Sequence, residues 1–113
     1  MNLALEYRVR KLEKLVRENV SMSNFDCDRL ANVIETNLKK WGCSVDVADD
    51  NAEYGFVNVG IHDKTGKFVT DYDVTADEYN KFVVAHNDKK LNTVSSYNDI
   101  GKEIAKHYGK EFA

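Results

Sequence analysis

The first apolar positions of the chain follow the spacing of a helix that presents one narrow apolar seam. Alternating steps of four and three residues separate Leu5, Val9, Leu12, Val16 and Asn19. In heptad notation these positions are d, a, d, a and d, and valine at a with leucine at d favours parallel dimers. The pattern predicts an amphipathic, coiled-coil helix over residues 1–22 that joins copies of the chain.

Charged residues beside this seam support the same prediction. Arg8 at position g and Glu13 at the following position e would meet as opposite charges in a parallel pair. The predicted self-association site comprises Leu5, Val9, Leu12, Val16, Arg8 and Glu13. Leu15 and Val20 widen the apolar stripe toward its C-terminal end, which favours docking of that half on the body of the protein. A helix packed entirely on its own domain is the alternative.

Residues 23–113 show helical and strand periods without a repeat or a linker, which predicts a single α+β domain. A helical stripe joins Cys27, Leu30, Ala31, Ile34, Leu38 and Trp41, and Gly42 is placed to end that helix. Three stretches then alternate with the period of a strand, namely CSVDVA, YGFVNVGIH and KFVTDYDV. In the third stretch one face carries Phe68, Thr70, Tyr72 and Val74. The turn DKTG between the last two predicts a meander of three antiparallel strands.

Two further helices are predicted after the meander. The residues TADE at 75–78 match a capping box and predict a helix through about Ala85. Its inward residues would be Tyr79, Phe82 and Val83. After a polar connection, HNDKKLNT, a last helix is predicted to begin at Ser96 and to end at Gly109. Its apolar stripe comprises Tyr97, Ile100, Gly101, Ile104, Ala105 and Tyr108. The predicted fold is therefore α+β: an N-terminal helix, then a compact α-β-β-β-α-α domain whose helices cover one face of the sheet.

The composition is that of a globular protein, with 42% apolar residues, 31% charged residues and a net charge of −3. This charge does not favour nucleic acid or an anionic membrane as a general partner. The N-terminus has no basic-then-apolar signal peptide, and no apolar run is long enough to span a membrane. We therefore expect a cytoplasmic protein in which Cys27 and Cys43 are reduced.

No motif predicts catalysis, a metal or a cofactor. The residues DKTG at 63–66 match the phosphorylated-aspartate motif of cation-pumping ATPases, but a hairpin turn accounts for the same residues. Asp71 and Asp73 share a strand face, where they either hold a hard cation between them or form a solvated edge. With the cysteines, no zinc spacing is formed by His62, His86 and His107. We expect no enzyme activity.

The middle predicted strand carries the residues expected to contact a partner. Alternation in YGFVNVGIH places valine and isoleucine on one face and Tyr54, Phe56 and His62 on the other. Aromatic side chains on a half-open sheet suit the anchors of a protein interface. We therefore predict a partner-binding contact at these three residues.

The segment RVRKLEKLVREN, at the centre of the first twenty or so residues, resembles the opening of small uncharacterised proteins encoded by bacteriophages and prophages of low-GC bacteria. Such proteins often join a short N-terminal coiled coil to a compact domain. The resemblance implies a virion component, or an accessory protein that binds a host or phage protein, located in the host cytoplasm or the virion.

The leading hypothesis is therefore a small, non-enzymatic protein that self-associates and binds a partner protein. A second hypothesis is a nucleic-acid-associated regulator that uses lysines at the helix ends. The α-β-β-β-α order resembles that of double-stranded-RNA-binding domains, although TADEYNK is acidic where that family is basic. A third is a small ligand-binding or inhibitor protein with a pocket between subunits.

Overall fold

Five antiparallel strands form one sheet in which each strand pairs with the next along the chain. The computed structural model describes residues 25–113. Its strands are β1 (Ser44–Ala48), β2 (Phe56–His62), β3 (Phe68–Ala76), β4 (Phe82–His86) and β5 (Lys89–Val94). Helix α1 (Cys27–Asn37) precedes the sheet and helix α2 (Tyr97–Glu111) follows it. Short 3-10 turns at Lys39–Trp41 and Ala52–Tyr54 flank β1.

Both helices pack on the same face of the sheet, and the core lies between them and the strands. The helices contribute Leu30, Ile34, Leu38, Ile100, Ile104 and Tyr108. The sheet contributes Val57, Val59, Ile61, Tyr72, Val74 and Val84. These positions follow the 3.6-residue and two-residue periods of the sequence, so the apolar faces of α1, β2 and α2 were predicted correctly.

Two glycines of α2 allow other elements to approach it closely. A Cβ at Gly101 would clash with Asn37 Nδ2 and would lie 3.3 Å from the carbonyl oxygen of Val33. A Cβ at Gly109 would lie 2.9 Å from the indole ring of Trp41. The prediction that α2 ends at Gly109 is therefore wrong. The helix continues to Glu111, and Gly109 serves the packing of Trp41.

Side chains cap the first turns of both helices. Asp26 accepts a hydrogen bond from the backbone N–H of Arg29, and Ser96 accepts one from the backbone N–H of Asp99. The predicted start of the last helix at Ser96 is thereby confirmed. Gly42, with φ of +71°, ends the 3-10 turn that extends α1, as its placement after Trp41 indicated.

The predicted fold has too few strands, and the helix predicted from Thr75 to Ala85 does not exist. Residues 75 and 76 complete β3, residues 77–81 form a hairpin loop, and residues 82–86 are β4. The run Phe82-Val83-Val84 prefers a pleated strand because β-branched and aromatic side chains pack well there. Five strands in the order α-β-β-β-β-β-α therefore replace the predicted α-β-β-β-α-α domain.

The same loop design joins β2 to β3 and β3 to β4. Asp63 Oδ1 accepts hydrogen bonds from the backbone N–H groups of Thr65 and Lys67 (2.9 and 3.0 Å). Asp77 Oδ1 accepts the equivalent bonds from Tyr79 and Lys81 (2.8 and 2.9 Å). The fourth residue of each loop has a positive φ, +88° at Gly66 and +61° at Asn80. TADE fits the capping-box pattern through Thr75 and Glu78. In the structure the backbone N–H groups of this loop donate to Asp77 instead.

A tight two-residue turn joins β4 to β5 where a polar connection was predicted. Asn87 and Asp88 have φ values of +51° and +66°. Positive φ at both central residues matches the right-handed twist of a hairpin, and asparagine and aspartate tolerate it. This turn converts KKLNTV into the last strand of the sheet.

The hairpin also changes where the residues of the supposed helix lie. Tyr79 is 73% exposed at the tip of the loop between β3 and β4. Phe82 does point toward the helices, where its ring lies 5.6 Å from those of Phe25 and Tyr97. Val83 lies on the opposite face of β4, so the predicted inward set is wrong for Tyr79 and Val83.

The predicted N-terminal helix over residues 1–22 lies outside the described residues. The same holds for its self-association site, formed by Leu5, Arg8, Val9, Leu12, Glu13 and Val16.

Replacing Asp77 should test the hairpin directly. We expect Asp77→Ala to lower the free energy of unfolding by about 1–2 kcal/mol, because two backbone N–H groups lose a charged acceptor. Glu78→Ala is the control and should have little effect, since Glu78 is exposed in the loop. Urea unfolding measures both. A capping-box helix would reverse the order, with Glu78→Ala the more costly change.

Candidate partner-binding face

The sheet face opposite the helices, called here the outer face, carries aromatic and acidic side chains together. Directly paired residues of neighbouring strands share a face. The pairing places on it Ser44, Asp46 and Ala48 of β1, Phe56, Asn58, Gly60 and His62 of β2, Phe68, Asp71, Asp73 and Thr75 of β3, Val83 and Ala85 of β4, and Lys90 and Thr93 of β5. Within residues 25–113, no helix lies on this face.

A β-bulge turns Phe68 onto the outer face. The pairing shifts between Ile61–Thr70 and His62–Phe68, so Val69 is an extra residue in β3. Val69 packs partly against the core, and Phe68 is 55% exposed. The prediction that Phe68 shares the apolar face of Thr70, Tyr72 and Val74 is therefore wrong. Sequence reasoning missed Phe68 as an interface residue because one inserted residue reverses the alternation.

Phe68 and His62 form a small aromatic platform above Gly60. Their ring centroids are 5.6 Å apart and the planes meet at 73°, which is an edge-to-face contact. A Cβ at Gly60 would lie 3.8 Å from both His62 Nε2 and Phe68 Cε1. The two rings therefore rest on a strand position that has no side chain, and Gly60 is buried beneath them.

Next to the platform, an amide joins two carboxylates. Asn58 Nδ2 lies 2.7 Å from Asp71 Oδ2 and 3.0 Å from Asp73 Oδ1. The Asn58 amide therefore stands between the two aspartates considered as cation ligands. Each carboxylate retains acceptor capacity, since an ionised carboxylate has about four lone-pair positions. With Asp46, which pairs with Gly60 one strand away, the outer face presents three acids beside two aromatic rings.

The structure separates the three residues predicted to contact a partner. His62 lies in the platform, at one end of β2. Phe56 is half-buried on the outer face at the other end of β2, opposite Thr75. Tyr54 is 45% exposed in the 3-10 turn before β2 and so lies outside the strand. Their role in binding stays a prediction.

On each edge strand a side chain accepts a hydrogen bond from one backbone N–H group. The N–H of Val45 in β1 donates to Glu35 Oε1 at 3.0 Å. The N–H of Thr93 in β5 donates to Asn92 Oδ1 at 2.8 Å. Natural sheets protect their edges from added strands by devices of this kind. The outer face is therefore a better candidate for recognition than either edge.

Other reactive groups in the described part give weaker candidates. Burial, followed by the charge of Asp49, raises the pKa of the Cys27 thiol, which disfavours the nucleophilic thiolate. Cys27 and Cys43 are both free thiols. No group of three or more histidine, cysteine or acidic residues within 25–113 is arranged to hold a metal ion. None of the helices in that range combines the length and apolar character needed to cross a membrane.

Comparison with known proteins gives one partial likeness. The chain is 27% identical over 100 residues to "Protein SEY1" from Candida tropicalis (strain ATCC MYA-3404 / T1). The aligned part covers 88% of this chain and 12% of that protein. No family model and no solved structure matches the chain.

Replacing Asn58 should show how much its amide contributes to the stability of the fold. We expect Asn58→Ala to lower the free energy of unfolding by about 1–2 kcal/mol, because two charge-assisted hydrogen bonds are lost and like charges stay adjacent. The loss should shrink at high salt, which screens the carboxylates from each other.

A double-mutant cycle with Asp73→Asn isolates this interaction. Urea unfolding of both single variants and the double variant gives the coupling free energy. Additive losses would show that Asn58 acts independently of Asp73.

Proposed function

We propose that this chain is a non-catalytic, self-associating domain that binds a partner protein through its outer face. The observation that supports the binding surface is the aromatic platform of Phe68 and His62 beside Asp46, Asp71 and Asp73 on an uncovered sheet face. The helices cover only the apolar side chains on the opposite face of the sheet. Aromatic side chains, phenylalanine included, are enriched in protein interfaces.

The charge of the outer face favours a partner segment that is both basic and apolar. An arginine or lysine would donate to the free oxygens of Asp71 and Asp73, which the Asn58 amide already holds in place. An apolar side chain of the same segment would cover Phe68. Charge complementarity of this kind directs encounter and register, and the aromatic contact supplies affinity.

The two alternative functions use other parts of the chain. A nucleic-acid-associated regulator would use Lys102, Lys106 and Lys110, which lie four residues apart on the exposed side of α2. The net charge of −3 does not favour phosphate binding, and the outer face itself carries three aspartates. A pocket between subunits would require the self-association interface first. The outer face therefore favours the protein-binding function.

Selection from a displayed library of random peptides tests the proposed surface. With the full chain immobilised, we expect enriched peptides that combine arginine or lysine with aromatic or aliphatic residues. Phe68→Ser should weaken their binding about tenfold or more, since a central anchor contributes over 1.4 kcal/mol. Asp71→Asn should weaken binding and reduce its salt dependence.

Tyr79→Ser is the matched control, because Tyr79 is a more exposed aromatic residue in a loop away from the platform. Urea unfolding first establishes that each variant keeps its fold. Enriched peptides that bind the Phe68→Ser variant as well as the original chain, or that depend on Tyr79, would place binding elsewhere.

The self-association part of the proposal depends on the N-terminal heptads. Leu12→Glu puts a charge at a central d position and should convert the assembly to monomers in light scattering across a concentration series. Tyr7→Glu adds the same charge at an outward f position of that register and should leave the assembly intact. An unchanged assembly in Leu12→Glu would show that another surface joins the copies.

A further inference from the structure

Two histidines that are distant in sequence meet between α2 and the sheet. His86 is the last residue of β4, and His107 lies in the last turns of α2. Their ring centroids are 4.5 Å apart, with 45° between the planes. Phe112 packs against both rings, at 5.8 Å from His86 and 6.2 Å from His107. The pair therefore connects the C-terminal end of α2 to the sheet.

Each histidine is hydrogen-bonded to a buried hydroxyl group of β3. His86 Nε2 lies 2.8 Å from Thr70 Oγ1, and His107 Nδ1 lies 2.8 Å from the hydroxyl of Tyr72. Thr70 is 8% exposed and Tyr72 is 1% exposed. Water therefore has little access to these hydroxyl groups, and each depends on its histidine for a partner.

The buried phenol requires an unprotonated ring nitrogen. Burial, together with the charges of Tyr108 and Glu111, raises the pKa of Tyr72, so its hydroxyl keeps its proton and donates it. In the tautomer that carries its proton on Nε2, neutral His107 accepts that bond at Nδ1. A protonated His107 carries N–H at both nitrogens, and the Tyr72 proton would then lose its acceptor inside the protein.

We propose that His86 and His107 form a pH-sensitive fastener that holds the C-terminal half of α2 on β3 and β4 while both rings are neutral. Protonation adds a hydrogen to the nitrogen that faces Tyr72 and sets positive charge against the neighbouring ring. The C-terminal half of α2 then separates from the sheet, and the imidazolium groups become hydrated.

The surroundings of His107 include groups that lower its pKa and groups that raise it. Burial is the largest influence and lowers its pKa, His86 of β4 and Lys110 of α2 lower it further, and Glu111 and Glu103 of α2 oppose them. Across the sheet, Tyr72 faces it from β3, and Lys89 of β5 is paired with His86. The balance leaves the pKa of His107 below its ordinary value of 6.5.

The sign of the pH dependence follows from this lowered pKa. The unfolded chain binds the proton more readily than the folded one, so stability rises with pH in the interval between the two pKa values. The contribution of His107 is complete above pH 6.5 and is lost as the pH falls through that interval. Each pH unit of it changes the unfolding equilibrium by up to about tenfold through His107.

Nuclear magnetic resonance of the full chain tests the fastener without any substitution. We expect the ring of His107 to titrate below the pH of a free imidazole, about 6.5. Over the same titration, hydrogen exchange, taken relative to the intrinsic rate at each pH, should accelerate at the amides of Phe112 and Ala113, which both bond to the carbonyl of Tyr108. The amide of Ile100, at the other end of α2, should stay protected. Uniform acceleration along α2, or titration of His107 at or above the free value, would overturn the proposal.

Two substitutions then separate this pair from other titrating groups. His107→Asn keeps an acceptor near the position of Nδ1, and His86→Gln keeps one near Nε2, but neither residue binds a proton. Urea unfolding between about pH 8 and about pH 5, where histidine is the main titrating side chain, should give a flatter pH dependence for His107→Asn. The slope should also be flatter for His86→Gln, because His86 then no longer lowers the pKa of His107. His62→Gln on the outer face is the control that shows what loss of a histidine outside the pair does to the slope. Equal slopes in the original chain and both variants would refute the fastener.

Discussion

The packing of both helices on one face of a five-stranded sheet determines how every other part of this protein is arranged. Leu30, Ile34 and Ile104 are fully buried against Val57, Val59 and Val74, and burial of such side chains is the main favourable contribution to folding. Because α1 approaches α2 across Gly101, the helices form one continuous layer. The other face of the sheet is left to polar and aromatic residues, and these make it the candidate for recognition.

Many of the core residues could be predicted from the sequence, because the spacing of apolar residues within one helix or strand identifies its buried face. The stripes of α1 and α2 and the alternation in β2 identify core residues without knowledge of their partners. The loops were harder to predict because the same short polar residues occur both in hairpin loops and at the N-termini of helices. DKTG was predicted as a turn, since glycine adopts a positive φ readily. TADE was predicted as a helix start because it matches a capping box, and Asn80 gives a weaker signal of a positive φ than Gly66 does. The β-branched run after Asn80 was the stronger evidence, and it favoured a strand.

The candidate surface was harder to predict than the core because it depends on contacts between distant residues. Phe68 becomes exposed only because Val69 is an inserted residue opposite β2, and a bulge has no reliable signature within one strand. Likewise, Asn58 meets Asp71 and Asp73 only after β2 and β3 pair in register. The meeting of His86 with His107 requires the complete sheet and α2. Patterns within a segment cannot show such neighbours.

Strand β3 takes part in both of the proposed activities, and its alternation keeps them on separate faces. Thr70 and Tyr72 point toward the histidines, while Asp71 and Asp73 point toward the outer face. A partner that binds ordered β3 would stabilise the neutral histidine pair, if release of α2 loosens this strand. By linkage, protonation of the pair would then weaken partner binding by the same free energy. The two faces would thus be coupled through one strand, without a contact between the partner and the histidines.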